Sequence, residues 1–481
     1  MQLRDYQVRA VADAARLHCE GKRRILIVAP TGSGKTVLAG NMIRRSFDKG
    51  RRIAFLAHRR KLIDQSCDKF VRFGIPHAAI MRGRAFAPDV PVQVASVQTL
   101  VRRVDQVEPF DLIFVDEAHH VRGSSYVRII EASPNATIIG LTATPCRLDG
   151  KELGDFFDSM VVVAQPGELV EQGWLVRDRI FAPYVPSMAG VKKTGGDYNI
   201  AQLRTLMDQT ALVGNIVMQW KRHGAGRPTV AFCVGVEHSK RVRDSFLREG
   251  IPAAHIDAGT PDELREEHLE RLNHGEDFVL CNVGVLTEGW DRPCTSCCIL
   301  ARPTASLGLH LQMGGRVLRP WEGKDDALIL DHAGNCLRHG SFTEPRQWSL
   351  ERKQKRKTRD EHVPSLRQCP VCYRLWPPSR TECECGHVWE VDPPEIAEIE
   401  GELRETESIL VILARNPALE RKVVYWTGCE RLRKENGYKP GWSMYRFKDE
   451  FDYWPTKDIK SLSAQYARAQ ERSEDQVRGT A

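Results

Sequence analysis

The 481-residue sequence has no apolar run approaching the length needed to cross a bilayer. Its start, Met1-Gln2-Leu3-Arg4-Asp5-Tyr6, lacks the apolar centre of an export signal, so a cytoplasmic protein without a membrane partner is expected. Aromatics are sparse at 7%, and neither sign of charge dominates: a formal net charge of +7 permits a polyanionic partner without requiring one. No internal repeat and no convincing nuclease constellation is found. The fourteen cysteines are not few. They are scattered through apolar stretches apart from one late cluster, which argues against a disulfide framework and for buried thiols plus one metal site. A hydrophobic share of 42% and a charged share of 28% fit a globular chain, long enough for two or three domains.

What is present is organised around Ala29-Pro30-Thr31-Gly32-Ser33-Gly34-Lys35-Thr36. The octamer follows the apolar run Ile25–Val28 and leads into a helical pattern, the context that a phosphate-binding loop requires. Gly32 and Gly34 allow a tight turn with N–H groups aimed at a polyphosphate, with Thr31 just before them and Ser33 between them. Lys35 can reach the β- and γ-phosphates, and the Thr36 hydroxyl can ligate Mg²⁺. Ala29 stands where the first glycine of such loops is usual; ordinary backbone angles suffice there.

Residues 1–165 alternate apolar strands (Ile25–Val28, Ile53–Leu56, Val92–Ala95, Leu112–Val115, Thr137–Leu141) with amphipathic segments, which predicts a parallel α/β sheet with its chemistry at the carboxyl strand ends. Asp116-Glu117-Ala118-His119 follows one strand: Asp116 is placed to hold Mg²⁺ and Glu117 to activate water. Leu141-Thr142-Ala143-Thr144-Pro145 ends another. His58 and Arg59, with Ser96-Val97-Gln98-Thr99, offer a cation and uncharged donors suited to a phosphodiester backbone. Residues 166–215 read as a crossover, and 216–340 as a second α/β domain with strands Val230–Val234, Phe278–Cys281, Cys297–Leu300 and Ala327–Leu330 and no phosphate loop. Gln312, Arg316 and Arg319 recur there at helical spacing, so they are expected to share a face and to present guanidinium groups to a nucleotide in the first domain. Cys294 and Cys297 are read as buried thiols.

These stretches together resemble the motifs of superfamily 2 helicases and translocases of the DEAH-box type, and Asp331-His332-Ala333-Gly334-Asn335, the late cysteine cluster (Cys369, Cys372, Cys383 and Cys385) and Gly437–Pro455 resemble the RadD-like and prophage-encoded DNA helicases among them. Leu3-Arg4-x-Tyr6-Gln7 resembles the Q motif, Ala29–Thr36 motif I, Ala57–Arg59 motif Ia, Asp116–His119 motif II, Leu141–Pro145 motif III, Val283–Asp291 motif V and Gln312–Arg319 motif VI. The resemblance implies two tandem RecA-like domains closing on ATP and Mg²⁺. Gln7 would read adenine, Arg316 and Arg319 would be arginine fingers, Thr287 would touch the strand, and His119, Thr142 and Thr144 would couple the two sites. It further implies a nucleic-acid partner, DNA in preference to RNA, single-stranded or branched, in repair, recombination or phage replication, and contact with a single-stranded-DNA-binding protein. A nucleic-acid-stimulated ATPase that remodels complexes without unwinding, and a passive binding scaffold, remain alternatives.

Beyond the second domain, 341–362 is expected to be a linker, whose basic run 351–359 either is simply solvated or adds affinity for phosphates. In 363–392, Cys369, Cys372, Cys383 and Cys385 suggest a structural Zn²⁺ knuckle, with His387 as the alternative fourth ligand because C-x-C is a strained spacing. Residues 393–481 form an accessory module: helices over Glu395–Leu419, aromatics interleaved with cations from Gly437 to Pro455 that either stack bases or form a core, and a frayed polar end from 457.

Overall fold

The computed structural model describes all residues except 1, 146–152, 183–185, 208–209, 275–277, 288, 351–365, 390–412, 440 and 479–481, and it describes only the backbone at 210–214, 468 and 471–478. The basic run 351–359, Glu288 of the motif V stretch, and residues 395–412 of the helices expected before Leu419 thus lie outside the described residues. The chain divides into two units, Met1–Val391 and Asp392–Ala481.

The first unit holds two parallel sheets of the tandem RecA-like kind. The first sheet comprises β1 (Arg24–Val28), β2 (Ile53–Ala57), β3 (Ala78–Ile80), β4 (Val92–Ser96), β5 (Leu112–Asp116), β6 (Thr137–Thr142) and β7 (Ser159–Val162), ordered β3-β4-β2-β5-β6-β1-β7. Its central strands are apolar without alternation. Ile53 to Ala57 are all buried, because apolar residues from both sides of the sheet pack over them in two separate clusters.

Next come β8 (Arg177–Phe181) and the hairpin β9 (Lys193–Thr194) with β10 (Asp197–Tyr198). The second sheet adds β11 (Thr229–Cys233), β12 (Ala253–Ile256), β13 (Val279–Asn282), β14 (Cys297–Ala301) and β15 (Asp326–Asp331), ordered β12-β13-β11-β14-β15-β8. Residues 166–215 are therefore more than connecting chain: β8 pairs with β15 as an edge strand, and Ile200–Met207 is a helix. The strands of these two sheets that the sequence did not single out, β3, β7, β8 and β12, are the four edge strands, each paired on one side alone.

A short antiparallel pair, β16 (Arg367–Gln368) and β17 (Leu375–Trp376), carries the cysteine cluster. It docks on the end of β8, where the Ala182 N–H donates to Tyr373 O at 3.0 Å.

The second unit is helical: Pro417–Glu435, Trp442–Phe451 and Lys457–Arg478 pack around Trp426, Phe447 and Ile459. Two expectations are corrected here. A helix runs through Leu419 to Glu435 instead of ending near it. The end expected to fray is a helix of 22 residues, because Ile459 and Ser463, one turn apart, face inward, and the Ser463 hydroxyl lies 2.8 Å from that of Thr427.

Candidate active site

The loop after β1 is fastened from behind by the first helix, Asp5–Cys19. Ser33 O accepts hydrogen bonds from Gln7 Nε2 at 2.9 Å and from the Tyr6 hydroxyl at 3.1 Å. Gln7 Oε1 accepts the Arg4 N–H at 3.1 Å, so the carboxamide expected to read adenine here fastens the loop to the helix start. Gly34 has φ +83°, a backbone conformation that demands glycine, and a Cβ there would lie 2.6 Å from Gln7 Nε2 and displace that carboxamide. Ala29 is buried, with its N–H on Thr142 O at 2.8 Å, a position that tolerates a methyl group.

Lys35 and Thr36 open the following helix, Lys35–Phe47. Lys35 Nζ donates to Glu117 Oε1 at 3.1 Å, while Glu117 Oε2 lies 3.5 Å from His119 Nδ1. Glu117 reaches this position from the left-handed region, φ +50°, which costs a non-glycine residue about 1–3 kcal/mol and places the strain beside Lys35. Burial, reinforced by the neighbouring Glu117, pushes the Asp116 carboxyl up to about 6. Two carboxylates beside one ammonium, with the Thr36 hydroxyl at the helix start, form a donor set suited to a hard divalent cation. The ring of His119 lies 4.2 Å from that of His120, which in turn is 4.6 Å from that of His58.

The second half meets this loop through the motif VI stretch. The helix Leu307–Gly314 stops at the Gly314-Gly315 pair, so Gln312 is helical but Arg316 and Arg319 are not. The shared helical face expected from their spacing does not form, because consecutive glycines favour helix ends over helix continuation. The two arginines go different ways. Arg319 lies over the phosphate loop: a Cβ on Gly32 would stand 3.4 Å from its Cγ, and its guanidinium pairs with Asp291. Arg316 is buried in its own half, donating to Trp290 O at 2.8 Å and to Thr287 O. The Thr287 hydroxyl donates to Gly284 O at 3.3 Å, within its own turn.

The halves touch at several further points. A Cβ on Gly315 would lie 2.8 Å from Thr31 Cβ, and one on Gly308 would lie 3.2 Å from Thr144 Oγ1. Thr142 Oγ1 donates to Thr144 O at 2.7 Å, which holds that turn. Gln65 Nε2 donates to Gly289 O at 3.0 Å, and Lys61 pairs with Glu266 at 3.0 Å. Lys69, not singled out from sequence, is pulled below the ordinary ammonium range by burial, with Asp291, Arg319 and Asp116 in electrostatic reach. On an amphipathic helix it reads as one more surface lysine.

A groove at the carboxyl ends of β2, β3 and β4 is lined by Arg60, Arg82, Arg84, Arg102 and Arg103 with Thr99. His58 and Arg59 lie at its margin, where Gln98 Nε2 donates to His58 O at 3.3 Å. Of the residues at this groove, the sequence singles out Ser96, Gln98 and Thr99 in its lining and His58 and Arg59 at its margin, but none of the five lining arginines. Met81-Arg82-Gly83-Arg84 and Arg102-Arg103 were the available signals, each a cation pair just beyond an apolar stretch. Such a row of cations at strand ends suits a phosphodiester backbone.

In the cysteine cluster, the Sγ atoms of Cys369, Cys372, Cys383 and Cys385 all lie within 4.8 Å of one another. Cys369 and Cys385 are 3.6 Å apart, and Cys372 and Cys383 3.5 Å. Tetrahedral Zn–S bonds of ~2.3 Å place sulfurs ~3.8 Å apart, so the four thiols fit zinc. The C-x-C spacing is accommodated by a turn in which the Gly386 N–H donates to Cys383 O at 2.9 Å with Gly386 at φ +88°. His387 lies outside the cluster, its ring against Trp389 at 5.2 Å. Burial opposes ionisation of Cys383, but the Cys385 N–H and the Trp376 indole N–H donate to its sulfur and bring the thiol down to about 7.

Comparison with known proteins places this geometry. Residues 1–147 match the family described as "Type III restriction enzyme, res subunit", and residues 208–320 match the "Helicase conserved C-terminal domain". A 51.5 kDa protein of a Lactococcus phage (isolate 7-9) is 30% identical over 451 residues, covering 91% of this chain and 95% of that protein. A Saccharomyces cerevisiae protein assigned as the ATP-dependent helicase IRC3 is 31% identical over 69% of this chain, which spans only 51% of its length. Among solved structures, a fragment assigned as the HsdR subunit of a type I restriction enzyme from Vibrio vulnificus YJ016 superposes with a TM-score of 0.58 at 25% identity, over 71% of this chain and 67% of that one. No helix among the described residues is long and apolar enough to cross a membrane. The chain belongs to superfamily 2, the ATP-dependent helicases and translocases, alongside the helicase subunits of restriction enzymes.

Proposed function

We propose that the chain hydrolyses ATP between its two halves to move along DNA. The observation that carries this reading is Arg319 of the second half lying against Gly32 of the phosphate loop, so that one bound nucleotide would touch both halves. Lys35 and the loop N–H groups would hold the β- and γ-phosphates. Glu117 would orient water for attack once the phosphates draw Lys35 away from it. Thr36 and Asp116 would hold Mg²⁺, which supplies charge neutralisation across the β- and γ-phosphates. Arg319 would stabilise charge on the transferring group, leaving its Asp291 partner to do so. Arg316, by gripping Thr287 O and Trp290 O, would transmit closure to the motif V turn. Gln7 would exchange its hydrogen bond to Ser33 for adenine.

The arginine groove would track the phosphodiester backbone, with His58, Arg59 and Thr99 at its edge. Thr144 against Gly308, and the stack from Glu117 through His119 to His58, would couple hydrolysis to that groove. Loss of the shared phosphate would release the halves, a ligand-driven closure converted into a step. The cysteine cluster would hold structural Zn²⁺ through all four thiols. Action in repair, recombination or phage replication, in the manner of RadD-like and prophage helicases and with a single-stranded-DNA-binding protein as partner, is supported by the motif resemblance and by the phage relative.

The test is ATP turnover with matched single-stranded, duplex, forked and RNA ligands, alongside strand-separation and translocation assays. DNA-stimulated turnover with movement supports the reading. Stimulation without movement supports a remodelling ATPase, and no stimulation by any nucleic acid sinks the motor.

A further inference from the structure

Among the described residues only five aromatic side chains are exposed: Trp321, Tyr438, Tyr445, Tyr453 and Trp454. Four of the five fall within residues 438–454 of the helical unit. This clustering is not a by-product of a small core. Trp426 and Phe447 fill that core, and the helix Trp442–Phe451 turns Ser443 and Phe447 inward. Tyr445 is 64% exposed on its other side.

Three of these rings have ring neighbours, and one such neighbour is the half-buried Trp442. Tyr438 and Trp442 have centroids 4.8 Å apart, and Tyr445 and Trp454 5.3 Å apart. Trp442 and Tyr445 are three residues apart on one helix, so the two pairs form neighbouring parts of one strip. Cations accompany the rings: the Arg446 guanidinium lies 5.5 Å from the Trp442 ring centre, and Lys448 Nζ lies 4.8 Å from that of Trp454.

We propose that this strip is a second nucleic-acid site, a platform for single-stranded DNA separate from the arginine groove of the first unit. Bases would stack on Tyr445 and Trp454 and on Tyr438 and Trp442, while Arg446 and Lys448 meet the flanking phosphates. A nucleotide joins a flat π-face to an anion within one residue, and alternating rings and cations answer both. A duplex keeps its base faces stacked inside and cannot use the rings. An apolar protein partner would gain little from cations held over the rings. The inference rests on the reading that the chain works on DNA.

The full-length chain would be titrated into a fluorescein-labelled oligothymidylate and followed by anisotropy. Tyr445→Ala with Trp454→Ala should weaken binding by about tenfold per ring lost, while Tyr445→Phe with Trp454→Phe retains it. Arg446→Ala should reduce the slope of log affinity against log salt by about one. Circular dichroism and a thermal melt establish that each variant is folded. Unchanged affinity in a folded double-alanine variant overturns the platform, as does an equal loss on duplex DNA. So does a loss confined to binding a protein partner. Absence of any nucleic-acid stimulation of the wild-type ATPase would instead overturn the motor reading, so the two failures are distinguishable.

Discussion

The two sheets of the first unit are built alike and differ at their strand ends. In the first, β1 runs into a loop whose glycines adopt φ +89° and +83° before the helix Lys35–Phe47. In the second, the centrally placed β11 runs through Val234 to Gly235, at φ −157°, and directly into the helix Val236–Arg248. Extended backbone there leaves no cradle of N–H groups. The second half contributes instead the turns after β13 and β14, which carry Thr287, Asp291, Arg316 and Arg319. On the proposed reading, the same parallel architecture would supply a phosphate-holding half and a charge-supplying half, set by a few residues at strand ends and not by the strands.

The asymmetry is broken most severely at the phosphate loop and its carboxylate. Lys35→Ala and Glu117→Gln should each abolish stimulated ATP turnover, with far-ultraviolet circular dichroism unchanged; persistent turnover in both would remove these residues from the chemistry. Arg319→Ala should lower kcat by about a thousandfold with a smaller effect on the KM for ATP, as expected for an arginine finger. Arg316→Ala separates the two arginines. Its loss exposes the Thr287 and Trp290 carbonyls in a buried turn, so the thermal midpoint should fall, which Arg319→Ala should not cause. Equal midpoints would mean that the two residues act alike after all.

Smaller effects sharpen the same contrast. Cys369→Ser should lose the zinc of the purified chain, read by metal analysis, and melt earlier, while His387→Ala keeps it; equal zinc in both variants would exclude the four-thiol site. Gly315→Ala places a methyl group 2.6 Å from Leu311 O and 2.8 Å from Thr31, so the halves should close less well and the KM for ATP should rise several-fold. Arg84→Ala and Arg102→Ala, in the groove of the first half, should each weaken DNA binding modestly. Each should also flatten its salt dependence by about one unit of slope.

The strands with continuous apolar runs were legible because both faces of a parallel sheet are covered, leaving no alternation to obscure them. β3, β7 and β12 are short or peripheral, and β8 begins with Arg177-Asp178-Arg179, so their pairing depends on a neighbour and not on their own composition. The phosphate loop and Asp116-Glu117 were legible since their spacing is local. The arginine groove was not, because Arg60, Arg82, Arg84 and Arg102 come from three separate strand ends and converge only in the sheet. The helix ends at the Gly314-Gly315 pair, so the helical spacing of Gln312, Arg316 and Arg319 does not translate into a shared face.

Local order along the chain was enough to determine that a nucleotide loop, an acidic pair, an arginine pair and a four-cysteine cluster exist, since each needs only neighbours a few residues away. Tertiary structure alone decided which arginine reaches the loop, that Cys385 and not His387 completes the sulfur cluster, and which aromatics of the helical unit are core and which are surface. Those outcomes depend on distances between segments far apart in sequence. Backbone turns at Gly315 and Gly386, and the packing of whole helices, set such distances, and no spacing along the chain encodes them.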